Sequence, residues 1–297
     1  MTLVTDMAGA TDFVERRSFW KSRTVRRLLR HRSFMIGLVL CLLVTVLAVL
    51  APVISPFDPA KMAIRNRFQL PSGTYWLGTD NLGRDIFSRI AWGARFSLAI
   101  GLGVVLLNAV FGVLLGALAG YYRRLDGILM RLADALMAFP SVLLAIGIAA
   151  AMGPSAMTAV ISLAVVYIPR TARILRSSVL VVKEMEYVQA SIGAGANDIQ
   201  ILCRHILPNC MAPLIVQLSF VFAYAVLSEA VLSFLGLGSA PSVPSWGVMI
   251  AEGRSYIREA AWLTIFPGVA IALTVLGLNL LGDGLRDVLD PRVKLHD

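Results

Sequence analysis

Long apolar runs separated by short polar stretches dominate the chain. A helix rises roughly 1.5 Å per residue, so about 20 apolar residues cross a hydrocarbon core of roughly 30 Å. By that ruler the sequence predicts six spans, near Phe34–Ile54, Ser97–Ala119, Ala133–Met152, Ser155–Ile168 with extension, Ala212–Leu235 and Trp262–Gly282. The fourth is the weakest, because Pro169 and Arg170 interrupt it. Between the fourth and fifth lies a polar segment, EYVQASIGAGANDIQILCRHILPN (Glu186–Asn209), which lipid would accept only at high cost. It predicts two short helices broken at Gly193 and Gly195, with Asn197 as N-cap and Asp198 at the positive end of the second helix. Ile199, Leu202, Cys203 and Ile206 recur there at helical spacing as a narrow apolar stripe, and Pro208 ends the run. A helical hairpin standing in water with such a stripe is a docking element.

Composition agrees with the spans: 58% hydrophobic, 15% charged and a mean hydropathy of +0.76 exclude a soluble globule of 297 residues. Lys and Arg placement sets the orientation. With both ends of the chain and the second and fourth loops inside, 19 of the 27 Lys and Arg residues fall on the inner side and 8 outside. The net charge of +9 needs no nucleic acid, since a basic arm, Arg16 to Arg32, beside a span is a topology signal near anionic lipid. The hydrophobic stretch after that arm is too long for a cleavable leader and reads as a retained anchor. Cys41 lies in a span and Cys203 and Cys210 on the inner side, so no disulfide is expected. The expectation is a multi-pass protein of a bacterial inner membrane with both termini cytoplasmic. Its units are an arm, first helix and start of the external loop (1–75), a five-helix core (76–285) containing the polar loop (about 184–209), and a tail (286–297).

Three further features carry candidate chemistry. The external stretch WLGTDNLGRDIFSRIAWGARFSL (Trp76–Leu98) has turn glycines at Gly78, Gly83 and Gly93. It also holds Asp80, Arg84, Asp85, Arg89 and Arg95, able to form an ion-pair network that either caps the second span or meets a partner. Gly112, Gly116 and Gly120 share one helix face and predict close helix packing rather than a pore. Pro140 and Pro267 are positioned to kink their helices. Ionisable or amide groups at membrane depth are few. Glu229 is a candidate for the substrate path or a structural hydrogen bond, Gln217 and Asn108 are further path candidates, and Asp134 is placed to pair with Arg131. Phosphate-loop, HExxH and GxSxG motifs are missing, and His31, His205 and His296 all fall on the inner side, so catalysis in this chain is not expected.

The polar loop resembles the "EAA" loop of ABC-importer permeases. Gln189, Ala190 and Ser191 stand at the Glu-Ala-Ala positions, with Gly195, Leu207 and Pro208 in register, and His205 where the pattern has Ile. The external stretch closely resembles the hallmark of the second permease subunit in dipeptide, oligopeptide and nickel ABC importers. HILPN (205–209), FLGLGSAPSVPSWG (234–247) and NLLGDGLRDVLDPR (279–292) fit the same family. The resemblance implies an all-α, MetI-like permease of the type I ABC importer fold, moving di- or oligopeptides, with nickel, glutathione or opine-type cargo as alternatives and a secondary transporter disfavoured. It implies a homologous second permease and an external solute-binding protein. It also implies two cytoplasmic ATPase subunits holding ATP and Mg, with no cofactor in this chain. Gln189 to Pro208, including Arg204, then form the ATPase-coupling loop.

Overall fold

The computed structural model describes residues 23–238 and 243–289. Most of the basic arm, motif positions 239–242 and the tail from 290, with His296, lie outside them. A chain in lipid must satisfy its backbone N–H and C=O groups within itself, and helices do so locally. In chain order they are α1 (Arg23–Arg30), α2 (Arg32–Ile54), α3 (Ile86–Leu107), α4 (Val113–Tyr121), α5 (Arg123–Met137) and α6 (Ser141–Met152). There follow α7 (Ala156–Lys183), α8 (Glu186–Gly193), α9 (Asp198–Gln200), α10 (Met211–Phe234), α11 (Trp246–Gly253) and α12 (Trp262–Leu289). A π turn at Asn108–Gly112 joins α3 to α4 as one run of 36 residues. A π turn at Ile201–Ile206 and a 3-10 turn at Leu207–Cys210 join α9 to α10.

Five of these runs are long and apolar enough to cross a membrane, and α5 with α6 makes a sixth if counted as one bent span. The third expected span is therefore not straight: α5 and α6 meet at 89° across Ala138–Pro140. Proline disfavours the helical conformation in the residue before it, so Phe139 is where the helix gives way. Alone, the 12 residues of α6 reach only about 18 Å. The fourth span differs in the opposite sense. Pro169 lies buried inside α7, which passes through Arg170 unbroken to Lys183.

The glycine face on α3 and α4 meets α7. A Cβ at Gly116 would stand 2.5 Å from the carbonyl oxygen of Ala172, and one at Gly120 2.7 Å from Val179 Cβ, so these positions exist for close packing. The bundle has two ends. At one, α4, α7 and the start of α10 converge on α8 and α9 around Leu175, Val179, Val188, Ile201, Ile206 and Cys210. At the other, α3, α11 and the start of α12 enclose Ile86, Ile90, Trp246 and Leu263.

Candidate functional site

The segment 186–209 folds as a hairpin pinned at several points. Gly195 has φ +82°, a conformation that L side chains adopt only under strain, and no atom lies within 4 Å of where its Cβ would be. Gly193 has no such φ and simply ends α8, so the expected two-glycine hinge is one residue, Gly195. Asn197 caps α9: its side chain accepts from Gln200 N at 2.9 Å, while the Gln200 side chain accepts from Asn197 N at 3.4 Å. Gln200 was not foreseen as a capping partner, although Asn-x-x-Gln is a capping-box spacing. Gln189 Nε2 donates to the Lys183 carbonyl at 2.9 Å, holding α8 to the end of α7. Tyr121 Oη donates to Asp198 at 2.9 Å, and Lys183 Nζ donates to the Tyr121 carbonyl at 2.9 Å while lying 5.0 Å over its ring. The ends of α4, α7 and α9 are thereby locked together.

The expected apolar stripe is split. A π turn places i and i+5 on one face, so Ile201 and Ile206 are buried together against Val188 and Val179. Cys203 is turned outward, and Ile199 is 74% exposed. Met185, Tyr187 and Ile192 are exposed with it. Ala190, Ser191 and Arg204 are outside as well or partly so, and the Ser191 hydroxyl is spent on the Tyr187 carbonyl at 2.9 Å. Asn209 Nδ2 donates to the His205 carbonyl at 2.7 Å. Pro208 does not end the run. It falls in the first turn of a 3-10 segment, where a missing N–H costs nothing, and the chain continues into α10.

At the far end, Asp80, Arg84 and Arg89 are nearly enclosed, and Glu252 of α11 completes their network. Arg84 Nε and Arg89 Nη1 reach Asp80 Oδ2 at 2.6 and 2.8 Å, while their Nη2 atoms reach Glu252 Oε2 at 2.7 and 2.8 Å. Asp85 and Arg95, expected in this network, are elsewhere. Asp85 caps α3, accepting from Ser88 N at 2.8 Å and Ser88 Oγ at 2.6 Å, and Arg95 stacks 5.5 Å over Trp92. Gly78 and Gly83 take φ of +80° and +74°, and a Cβ at Gly83 would fall 1.9 Å from the Ala63 carbonyl oxygen. Gly93 lies within α3 against Trp246 rather than in a turn. These contacts knit the loop before α3 to α3 and α11.

The polar groups in the spans fall into two sets. Glu229 is fully enclosed, accepting from Ser97 Oγ of α3 at 2.7 Å and from Ser233 Oγ of its own helix at 2.6 Å, the structural hydrogen bonding that is one of its two readings. Asn108 is enclosed too, accepting from Thr171 Oγ1 at 3.1 Å and donating to the Val104 carbonyl at 3.0 Å. Gln217 alone of the three lines a large cavity, of about 730 Å³. Asp134 pairs with Arg173 of α7 instead of Arg131, because α5 lies against α7, where Arg176 also grips Asp126 at 2.5 and 2.6 Å. Glu229→Leu is expected to cost about 1–3 kcal/mol by leaving buried serine hydroxyls without an acceptor, and Glu229→Gln less. Thermal unfolding in detergent measures both. Equal melting of the Leu variant and the unsubstituted protein would show that these bonds hold nothing.

A pinned hairpin at one end of a bundle that is helical among the described residues, with five helices long and apolar enough to cross a membrane, fits a subunit of an integral membrane assembly. Residues 112–295 match the family described as binding-protein-dependent transport system inner membrane component, and residues 18–71 match the N-terminal TM domain of oligopeptide transport permease C. The chain belongs to that inner membrane component family, the permeases of ABC importers. A transport-system permease of Brucella abortus biovar 1 is 56% identical over 92% of both chains. The dipeptide transport system permease DppC of Alkalihalophilus pseudofirmus is 43% identical, over 91% of this chain and 89% of its own. The glutathione transport system permease GsiD of Pectobacterium atrosepticum is 45% identical, over 94% and 91%. A chain of the methionine ABC transporter MetNI, solved in an inward-facing conformation, superposes with a TM-score of 0.55 at 18% identity, covering 68% of this chain and 96% of that one. That likeness shows the fold, which is MetI-like.

Proposed function

We propose that this chain is the second, C-type permease of a bacterial importer for di- and oligopeptides. It pairs with a homologous permease around one path, receives cargo from an external binding protein, and is driven by two cytoplasmic ATPase subunits that hold ATP and Mg. The peptide assignment rests on relatives named for dipeptide and glutathione transport. The orientation rests on the inner-side excess of Lys and Arg, which places both termini and the hairpin in the cytoplasm.

The observation that carries the reading is the exposed apolar face of a hairpin that is otherwise pinned. Ile199, at 74% exposure, stands within the capping box that fixes its helix. Closure of the ATPase pair pushes on that face, and the Tyr121–Asp198 and Gln189–Lys183 contacts pass the displacement to α4 and α7. Such coupling requires the ATPase contact to differ between the two states of the spans. Ile199→Cys in the assembled complex is expected to cross-link to an ATPase subunit, with a yield that changes when ATP is added. Cross-linking only to the binding protein, or to no partner, would refute both the orientation and the docking role.

A further inference from the structure

Arg170 is a cation that neither the hairpin nor the buried network uses. It sits midway along α7, roughly 20 Å from either end of that helix. Its neighbours Arg173 and Arg176 each hold a carboxylate, whereas Arg170 has none among the described residues. Its guanidinium lies 5.8 Å from the ring centre of Tyr224. A charge exposed halfway along an apolar helix, with no counter-charge among the described residues, marks a water-filled route or a ligand.

That cost is met at the large cavity, bounded by α7, α10 and the last turns of α12. Its volume, about 730 Å³, lies within the roughly 300–1,000 Å³ typical of small-ligand sites. Gln217 projects into it from α10, is 6% exposed, and makes no hydrogen bond with its amide among the described residues. Arg286 lines it from α12, also with no carboxylate in reach among those residues. The other polar lining groups are occupied: Ser177 and Ser178 donate to the Ile174 carbonyl, and Asn209 to that of His205. The charged groups of the lining are therefore two guanidinium groups with no acid beside them, and the Gln217 amide is the polar side chain there with neither donor nor acceptor engaged among the described residues.

We propose that this cavity seats the C-terminal carboxylate of a peptide in transit, with the planar fork of Arg170 gripping both oxygens and the Gln217 amide donating to one. Arg fits carboxylate in that two-pronged way, and the Tyr224 face keeps the fork oriented when no cargo is present. Arg286, near the hairpin end of α12, draws the same carboxylate onward. The assignment rests on the peptide reading above and adds where, on this chain, the cargo is held.

The test uses the whole complex in phosphatidylcholine vesicles, with dialanine and dialanine amide as probes. In a Gln217→Cys variant, dialanine at millimolar concentration is expected to slow thiol labelling at position 217, read by mass spectrometry. Dialanine amide should leave labelling unchanged, and adding Arg170→Gln should abolish the protection. Arg170→Gln alone should lower maximal dialanine uptake about tenfold or more, the loss of one charge-assisted contact, with Arg170→Lys recovering part of it and complex assembly unchanged. Equal protection by the amide, or none by dialanine, would overturn the proposal. So would slowing by phosphatidylglycerol in place of dialanine, which would assign the arginines to lipid phosphate. Failure of the unsubstituted complex to take up any dialanine strikes the peptide reading itself; intact uptake without protection at 217 strikes only the carboxylate seat.

Discussion

Arg89→Ala is expected to destabilise the protein by roughly 3–5 kcal/mol, the cost of removing one member of a buried ion network and stranding the rest. Arg89 is 2% exposed and bridges Asp80 to Glu252, so its loss leaves two carboxylates facing the single cation Arg84. Water reaches Glu252, whose side chain is 28% exposed, far more readily than it reaches Asp80, and the loop carrying Gly78 and Gly83 is left with Arg84 as its ion-pair tie to α11. Arg89→Lys keeps the charge but has a single ammonium in place of a fork spanning two acids, and should fall between. Arg95→Ala, which removes an exposed stack on Trp92, should cost no more than about 1 kcal/mol. Thermal midpoints in one detergent rank the three. If the Arg89 and Arg95 variants melted together, burial of the network would not be what secures this end of the bundle.

Gly195→Trp is expected to leave the complex assembled while cutting uptake and transport-linked ATP hydrolysis about tenfold. No neighbour blocks the side chain, since nothing lies within 4 Å of the Cβ position, so the effect comes from the backbone. At φ +82° a non-glycine residue costs roughly 1–3 kcal/mol. Relaxing that strain re-aims α8 against α9, and a change of about 1.4 kcal/mol in the coupling contact is a tenfold effect. Ser191→Ala, on the outer side of the same helix, keeps the backbone and should transport normally. Vesicle uptake and phosphate release, measured side by side, check both. Full activity in the Trp variant would remove the hairpin from the drive train.

What was legible in the sequence was local. The Asn197 cap, the Gly195 turn and the glycine face at 112, 116 and 120 all follow from spacing within one or two turns, and each has the geometry its spacing implies. What was not legible depended on irregular period or on distance. The stripe ending at Ile206 assumed an ordinary helical repeat, and the π turn shifted that repeat, burying Ile201 and Ile206 together while leaving Ile199 outside. Glu252 lies 163 residues beyond Arg89 in an otherwise apolar helix, and no neighbouring residue announces that it will complete an ion network. Asp134 found Arg173 rather than Arg131 because an 89° break, whose angle no proline specifies, laid α5 across α7. Arg170 looked like an interruption of a span; inside an intact α7 it becomes the feature of that span that most needs a ligand.

The unbroken passage from α9 into α10 has a mechanical corollary. The 37 residues Asp198–Phe234 run helically through the π turn at 201–206 and the 3-10 turn at 207–210, over roughly 55 Å. A see-saw of that length, tipped by about 10° around its centre, swings each tip by roughly 5 Å. The π and 3-10 turns at 201–210 are the places on the way where the stroke is absorbed or passed on, so their stiffness sets how much of a nudge at Ile199 reaches Phe234, on whose ring Arg254 rests at 5.3 Å.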